Sequence, residues 1–125
     1  MLKKLKIIWS VDWGKIDRKN WAEKERVKYE NENKDEYELF SRKLIWFQGK
    51  VMDDLRKNGD MEPVGKNKDG YKLNFRIHKK TVRLFGYWES RYQVLRALLF
   101  LVKKTNQITL RDLRTFEERI KKYEG

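Results

Sequence analysis

Arg76, His78, Arg83 and the pair Lys103 and Lys104 are the side chains of this 125-residue chain whose types and spacing could do chemistry. Arginine presents a planar fork that can grip two oxygens of a phosphate at once, and a lysine whose charge is disfavoured can move a proton. His78 is the only histidine, which excludes a multi-histidine metal site and a two-histidine acid and base pair. There is no cysteine, so no disulfide framework, thiolate nucleophile or cysteine-ligated metal can form. Metal-dependent hydrolysis would need a carboxylate cluster instead.

The chain carries 31 lysines and arginines against 19 carboxylates, a net charge of +12. Between residues 64 and 104 lie Lys66, Lys68, Lys72, Arg76, Lys79, Lys80, Arg83, Arg91, Arg96, Lys103 and Lys104, opposed only by Asp69 and Glu89. Charge concentrated in this way predicts a face for a polyanion, with affinity that comes from counterion release and falls with salt. The alternative is a basic surface that serves solubility alone.

These residues need elements to position them. In "YKLNFRIH", Tyr71, Leu73, Phe75 and Ile77 alternate with Lys72, Asn74, Arg76 and His78. That period of two predicts a strand with one face on the core and the other toward water or a ligand. "TVRLFGYW" follows a turn at Lys79 and Lys80, and "YQVLRALLFLV" is apolar almost throughout, as expected of an interior strand covered on both faces. Arg83 shares its parity with Phe85 and Tyr87, so it either faces the ligand or lays its stem over apolar surface. Consecutive lysines point to opposite faces of a regular strand, so Lys103 and Lys104 cannot serve one site equally.

Before the sheet, "KLKIIW" at 4–9 predicts a short first strand. Residues 12–58 read as a helical hairpin jointed near 31–34. Its second arm carries the stripe Phe40, Leu44, Phe47, Val51, Leu55 and is closed by Gly59 in the left-handed cap conformation. After 103, Leu110, Leu113, Phe116, Ile120 and Tyr123 set a final helix over 109–123, with Thr109 as its cap and Asp112 completing a box-like start. The expected fold is a single α+β domain, a small antiparallel or mixed sheet with an N-terminal helical hairpin and a C-terminal helix. No stretch has the length of a membrane span and the N-terminus lacks a signal pattern, so the expectation is a soluble, cytoplasmic protein with no membrane partner.

The segment "YKLNFRIHKKTVRLFGYWESRYQVLRALLFLVKKTNQITLRDLRTFEERIKKY", residues 71–123, resembles the RelE-like toxins, most closely their HigB and phage Gp49-like branch. The pieces that carry the resemblance are Phe75-Arg76, Val82-Arg83, and Phe100 to Thr105 with its lysine pair, followed by a helix of alternating charge. The resemblance implies a metal-free endoribonuclease, with no cofactor, that cuts mRNA on the ribosome. In such enzymes the RNA 2′-hydroxyl attacks the adjacent phosphate, leaving a 2′,3′-cyclic phosphate and a 5′-hydroxyl. It further implies a cognate antitoxin, of which a helix-turn-helix protein is one kind.

On that footing Arg76 and Arg83 are the phosphate clamps, and Lys103 or Lys104 is a further electrostatic or proton-transfer group. His78, on the parity of Arg76, is the acid and base candidate. Lys72, Lys79, Lys80, Arg91, Arg96 and Arg119 are expected along the RNA, with Tyr87 and Tyr92 able to stack on a base. Tyr123 is a second group that the last helix could bring to the site. The competing expectation keeps the fold without catalysis: a phage- or plasmid-type accessory protein that binds nucleic acid or a host protein.

Overall fold

A computed structural model describes residues 7–14, 20–104 and 107–124. Its order is β1 (Ser10–Asp12), α1 (Trp21–Glu32), α2 (Lys34–Gln48), α3 (Met52–Lys57), β2 (Met61–Pro63), β3 (Gly70–Ile77), β4 (Lys80–Glu89), β5 (Val94–Lys103) and α4 (Leu110–Glu124). The strands form one mixed sheet in the order β1-β5-β4-β3-β2, in which β1 runs parallel to β5 and the other neighbours are antiparallel. The fold is α+β, with a five-stranded sheet and four helices among the described residues. No described helix is long and apolar enough to cross a membrane.

The alternation of β3 decides which face is which. Leu73, Phe75 and Ile77 join Val82 and Leu84 of β4, and Leu95, Ala97 and Phe100 of β5, in a core closed by α1, α2 and α3. Phe40 of α2 stands at its centre, with ring centroids 4.9 Å from Phe75 and 5.2 Å from Phe100. A second, smaller core lies on the opposite face, where Phe116 and Ile120 of α4 meet Val64, Phe85, Leu98 and Leu99. The sheet is therefore covered on both sides, but α4 leaves one end of its face open.

A bulge sets the parity of the last strand. Phe85 pairs with Leu99 while Gly86 pairs with Ala97, so Leu98 is the extra residue. Leu95 and Ala97 face the helical layer, and so do Phe100 and Val102, whereas Leu98, Leu99 and Leu101 face α4. Without the extra residue Lys103 would lie on the helical side. Gly86 permits the close approach: a Cβ there would sit 2.7 Å from the Arg96 carbonyl oxygen.

Several expectations need correction. The strand drawn at 4–9 lies partly outside the described residues, and Ile7, Ile8 and Trp9 are not sheet; the first strand is Ser10–Asp12. The reason is Trp9, which is buried against Trp88 and donates its indole N–H to the Lys50 carbonyl at 3.1 Å, binding this stretch to the end of α2. The hairpin of 12–58 is three helices: its start is β1, 15–19 lie outside the described residues, and α2 stops at Gln48. Val51 is extended and 47% exposed, so it does not continue the stripe. The joint near 31–34 falls at Asn33, as expected. β2 was not anticipated; its Pro63 is tolerated because β2 is an edge strand, where a missing N–H breaks no ladder.

Two helix ends matter for the site. α3 closes in a Schellman arrangement, with Gly59 at φ 76°, Gly59 N–H donating to the Arg56 carbonyl and Asp60 N–H to that of Leu55. α4 opens with the expected box: Thr109 Oγ1 accepts from Asp112 N–H at 3.1 Å and Asp112 Oδ2 accepts from Thr109 N–H at 3.3 Å.

Candidate active site

The register of β3, β4 and β5 lays out the open end of the α4 face as rows of paired residues. Lys72 pairs with Phe85, which pairs in turn with Leu99; Asn74 pairs with Arg83, which pairs with Leu101; and Arg76 pairs with Thr81, which pairs with Lys103. Arg83 is the centre of this array, with Lys72, Arg76 and Lys103 on its diagonals, within reach of long side chains. The first row lies under Phe116 and is apolar on β4 and β5. The other two are not capped, and there a cavity of about 460 Å³ is lined by Asp60, Glu62, Lys72, Asn74, Phe75, Arg76, Thr81 and Arg83.

Burial differs sharply among the cations. Arg83 is only 4% exposed, so its guanidinium is held in the sheet surface and does not sweep through solvent. It lies in the cavity wall, on the face it shares with Phe85. Arg76 is exposed, and among the described residues its guanidinium makes no hydrogen bond or ion pair; only its carbonyl is engaged, by Lys43. Lys72 has a side chain 14% exposed, 3.6 Å from the half-exposed Glu62 carboxylate. Burial lowers its pKa, Glu62 works against that, and the neighbouring charge of Arg83 lowers it further.

Asn74 completes the floor. Its amide donates to the Gly59 carbonyl at 3.1 Å and to Glu62 Oε1 at 2.6 Å. Its main-chain N–H donates to the Asp60 carbonyl at 2.8 Å. Asp60 and Glu62 are thereby fixed to the outer edge of β3, and they add two acidic residues to a cavity whose other charged residues are Lys72, Arg76 and Arg83. Sequence reasoning missed both, along with Asn74 and Thr81. The available signal was two acids at alternate positions of a short extended segment before Pro63.

The lysine pair divides. Lys103 is on the face of Arg83, opposite Thr81, but its Nζ lies 3.1 Å from Asp112 Oδ2, tethering it to the start of α4. Lys104 follows the strand and lines a different groove, of about 400 Å³, beside Lys28, Asn33 and Val102 on the helical side. Lys104 is therefore removed from the site.

His78 is not on the strand whose parity was to place it. β3 ends at Ile77, and His78 occupies the β3–β4 turn at φ 55°, exposed, beside the equally exposed Lys79. Lys80 pairs with Glu36 of α2 at 3.2 Å, on the helical side of the sheet.

The remaining expected RNA contacts are elsewhere or engaged. Tyr87 is four residues along β4 from Arg83, about 13 Å at the usual rise of a strand, and its ring packs on Tyr123 with centroids 5.7 Å apart. Arg91 lies over the ring of Tyr92, which is 58% exposed, in the turn at the far end of β4. Arg96 is held by Asp12 and Glu89; burial opposes its charge, but the hydrogen bonds to Glu89 and Asp12 outweigh it and raise its pKa. Arg119 donates to Glu25 at 3.0 Å and to the Leu98 carbonyl at 2.7 Å, fastening α4 at the bulge. Arg96 and Arg119 thus hold the fold together, and neither is in the cavity. Tyr123 donates to Glu89 and is equally remote from it.

Among the described residues no group of three or more histidine, cysteine or acidic side chains could hold a metal ion. What the cavity offers is a buried arginine, a free arginine, a lysine with lowered pKa and two carboxylates. Comparison with protein-family models, with curated proteins and with solved structures finds no match for this chain.

Proposed function

We propose that this chain is a RelE-like endoribonuclease, the toxin of a toxin–antitoxin pair, which cuts mRNA on the ribosome without a metal. The observation that carries the proposal is the convergence of Lys72, Arg76 and Arg83 on one uncovered cavity beside the C-terminal helix. The order of elements, with three antiparallel strands followed by a helix, supports the same reading.

The chemistry needs three things, and the cavity has a group for each. The scissile phosphate lies on Arg83 and Arg76. Arg83 is held by the sheet, so its charge is in place before the phosphorane forms, and preorganised charge in a partly desolvated site is worth more than in water. The RNA 2′-oxygen attacks phosphorus after losing its proton to a base. The bond from phosphorus to the 5′-oxygen breaks, and that oxygen takes a proton from the ammonium of Lys72. Burial and Arg83 both weaken Lys72's hold on that proton, which makes it a better acid than a solvated lysine. The products are a 2′,3′-cyclic phosphate and a 5′-hydroxyl. Lys103 joins the phosphate side by leaving Asp112. The wider basic surface, including Lys79 and Arg91, engages ribosomal or messenger phosphates, and an antitoxin silences the enzyme by covering the cavity.

The test is a 5′-end map of cellular mRNA after a short pulse of expression, run beside Arg76→Ala, chosen because Arg76 is exposed and its loss leaves the core intact. Cuts in phase with reading frame, with 5′-hydroxyl ends, strong for the parent and weak for the variant, are the expected result. An unchanged map with salt-sensitive RNA binding would overturn the proposal in favour of a non-catalytic binding protein.

A further inference from the structure

We propose that Asp60 is the base that takes the proton from the attacking 2′-hydroxyl. The inference rests on the proposed ribonuclease reading and adds a catalytic residue to it.

Asp60 stands where a helix end disfavours it. It is the second residue beyond the cap of the Schellman motif that closes α3, a position that commonly carries an apolar side chain packed back on the helix. A carboxylate there also lies at the negative end of the helix dipole. Its main chain is fixed on both sides, by the bond from its N–H to the Leu55 carbonyl at 3.0 Å and by the bond its own carbonyl accepts from Asn74 at 2.8 Å. Asp60 lines the cavity with Lys72, Arg76 and Arg83, and among the described residues its carboxylate makes no hydrogen bond or ion pair. A cation-lined cavity that had only to bind phosphate would be weakened by a carboxylate on its lip. One that must also accept a proton beside that phosphate requires such a group.

The other carboxylate is less suited. Glu62 Oε1 already accepts from Asn74 at 2.6 Å and faces Lys72 at 3.6 Å, so one of its two oxygens is engaged and its charge is shared with Lys72. His78 is in the turn beyond Ile77 and is not among the cavity's lining residues. The proton ledger closes with Asp60 and Lys72 as partners: the carboxylate gains the 2′-proton as the P–O2′ bond forms, and the ammonium loses one as the P–O5′ bond breaks. They reach the cavity from different elements, the loop after α3 and strand β3.

The experiment is single-turnover cleavage of an mRNA oligonucleotide, free and threaded through purified ribosomes, by the parent, Asp60→Asn and Lys72→Met, each checked by circular dichroism for folding. The expected result for Asp60→Asn is a loss of about a hundredfold or more in rate, unchanged binding of the 2′-deoxy analogue, and loss of the limb of the pH profile that rises from acid. A substrate whose 5′-bridging oxygen is sulfur leaves without needing a proton, so it should rescue Lys72→Met and leave Asp60→Asn slow. Cleavage by Asp60→Asn at the parental rate, or its rescue by the sulfur substrate, overturns the assignment of the base alone. A parent that cleaves neither free nor ribosome-bound RNA overturns the ribonuclease reading, and the base with it.

Discussion

Lys72→Met should make the protein more stable and abolish the proposed cleavage. Lys72 holds a charge with a side chain 14% exposed, one row from the buried Arg83, and its partner Glu62 is 3.6 Å away with its own side chain half exposed. Burial and the like charge of Arg83 both act against the ammonium, and Glu62 offsets them only in part, since the pKa of Lys72 stays below the ordinary lysine value. Methionine keeps most of the stem and removes the charge, while Glu62 retains its hydrogen bond from Asn74 and its access to water. Replacing imperfectly compensated buried charge by an apolar side chain of similar size is neutral to stabilising, so the gain should be about 1 kcal/mol, or roughly 3–5 °C in melting temperature for a chain of this length. The sign of its pH dependence follows from the lowered pKa. Between the folded and unfolded pKa values the unfolded lysine binds a proton that the folded one does not, so the parent gains stability as pH rises through that window. The advantage of the variant should therefore be full at neutral pH and shrink as pH climbs through the depressed lysine pKa toward that of a free lysine. Thermal melts of both proteins across that range, beside the cleavage assay, provide the check. A variant that melts below the parent at neutral pH would show that the Lys72–Glu62 pair holds β2 to β3, and would refute the view of Lys72 as a charge kept for function at a cost in stability.

Two further perturbations probe what positions the site. Gly86→Ala puts a Cβ 2.7 Å from both the Arg96 carbonyl oxygen and the Leu95 side chain; overpacking beside a bulge should cost about 2 kcal/mol in chemical denaturation, and a stability equal to the parent's would mean that the bulge does not need glycine. Asp112→Asn removes the anchor of Lys103 and weakens the cap of α4. Burial raises the Asp112 pKa, but Lys103 and Thr109 outweigh it and hold it below the usual aspartate value. The stability it contributes, about 1 kcal/mol, is present above the unfolded aspartate pKa and lost as pH falls through the lower folded one. The difference between Asp112→Asn and the parent should accordingly close in strong acid, and a difference that persisted there would assign the effect to something other than charge.

β3 was legible because one of its faces meets the larger core. Tyr71, Leu73, Phe75 and Ile77 alternate with polar residues, and the period of two passes directly into the side-chain rows that bring Lys72 and Arg76 together. The start of α4 was legible for the same local reason, since Thr109 and Asp112 satisfy each other's backbone N–H groups within one turn. The helical region was legible in its joint at Asn33, in the buried stripe Phe40, Leu44 and Phe47, and in the left-handed Gly59 that closes it, but not in its break into α2 and α3. Its break after Gln48 depends on Trp9, which reaches Lys50 from 41 positions away, and no periodicity within 40–55 reports that contact.

The chemistry was harder to place because its polarity is not local. Which of Lys103 and Lys104 shares a face with Arg83 is decided by Leu98, one extra residue in an apolar run that reads the same with or without a bulge. Which cations are available is decided by partners far along the chain: Glu36 removes Lys80, Asp12 and Glu89 remove Arg96, and Glu25 removes Arg119. A basic stretch therefore overstates its own binding surface, because composition counts charges before the fold has paired them. The same folding step works in the opposite sense for the acids. Asp60 and Glu62 look like ordinary solubilising residues between a helix end and a proline, and they become part of a site only when β2 takes its place on the edge of β3. Once there, Glu62 is tied to Asn74 and Lys72 while Asp60 lines the same cavity without such a tie, and it is this difference that the proposed role of Asp60 as base draws on.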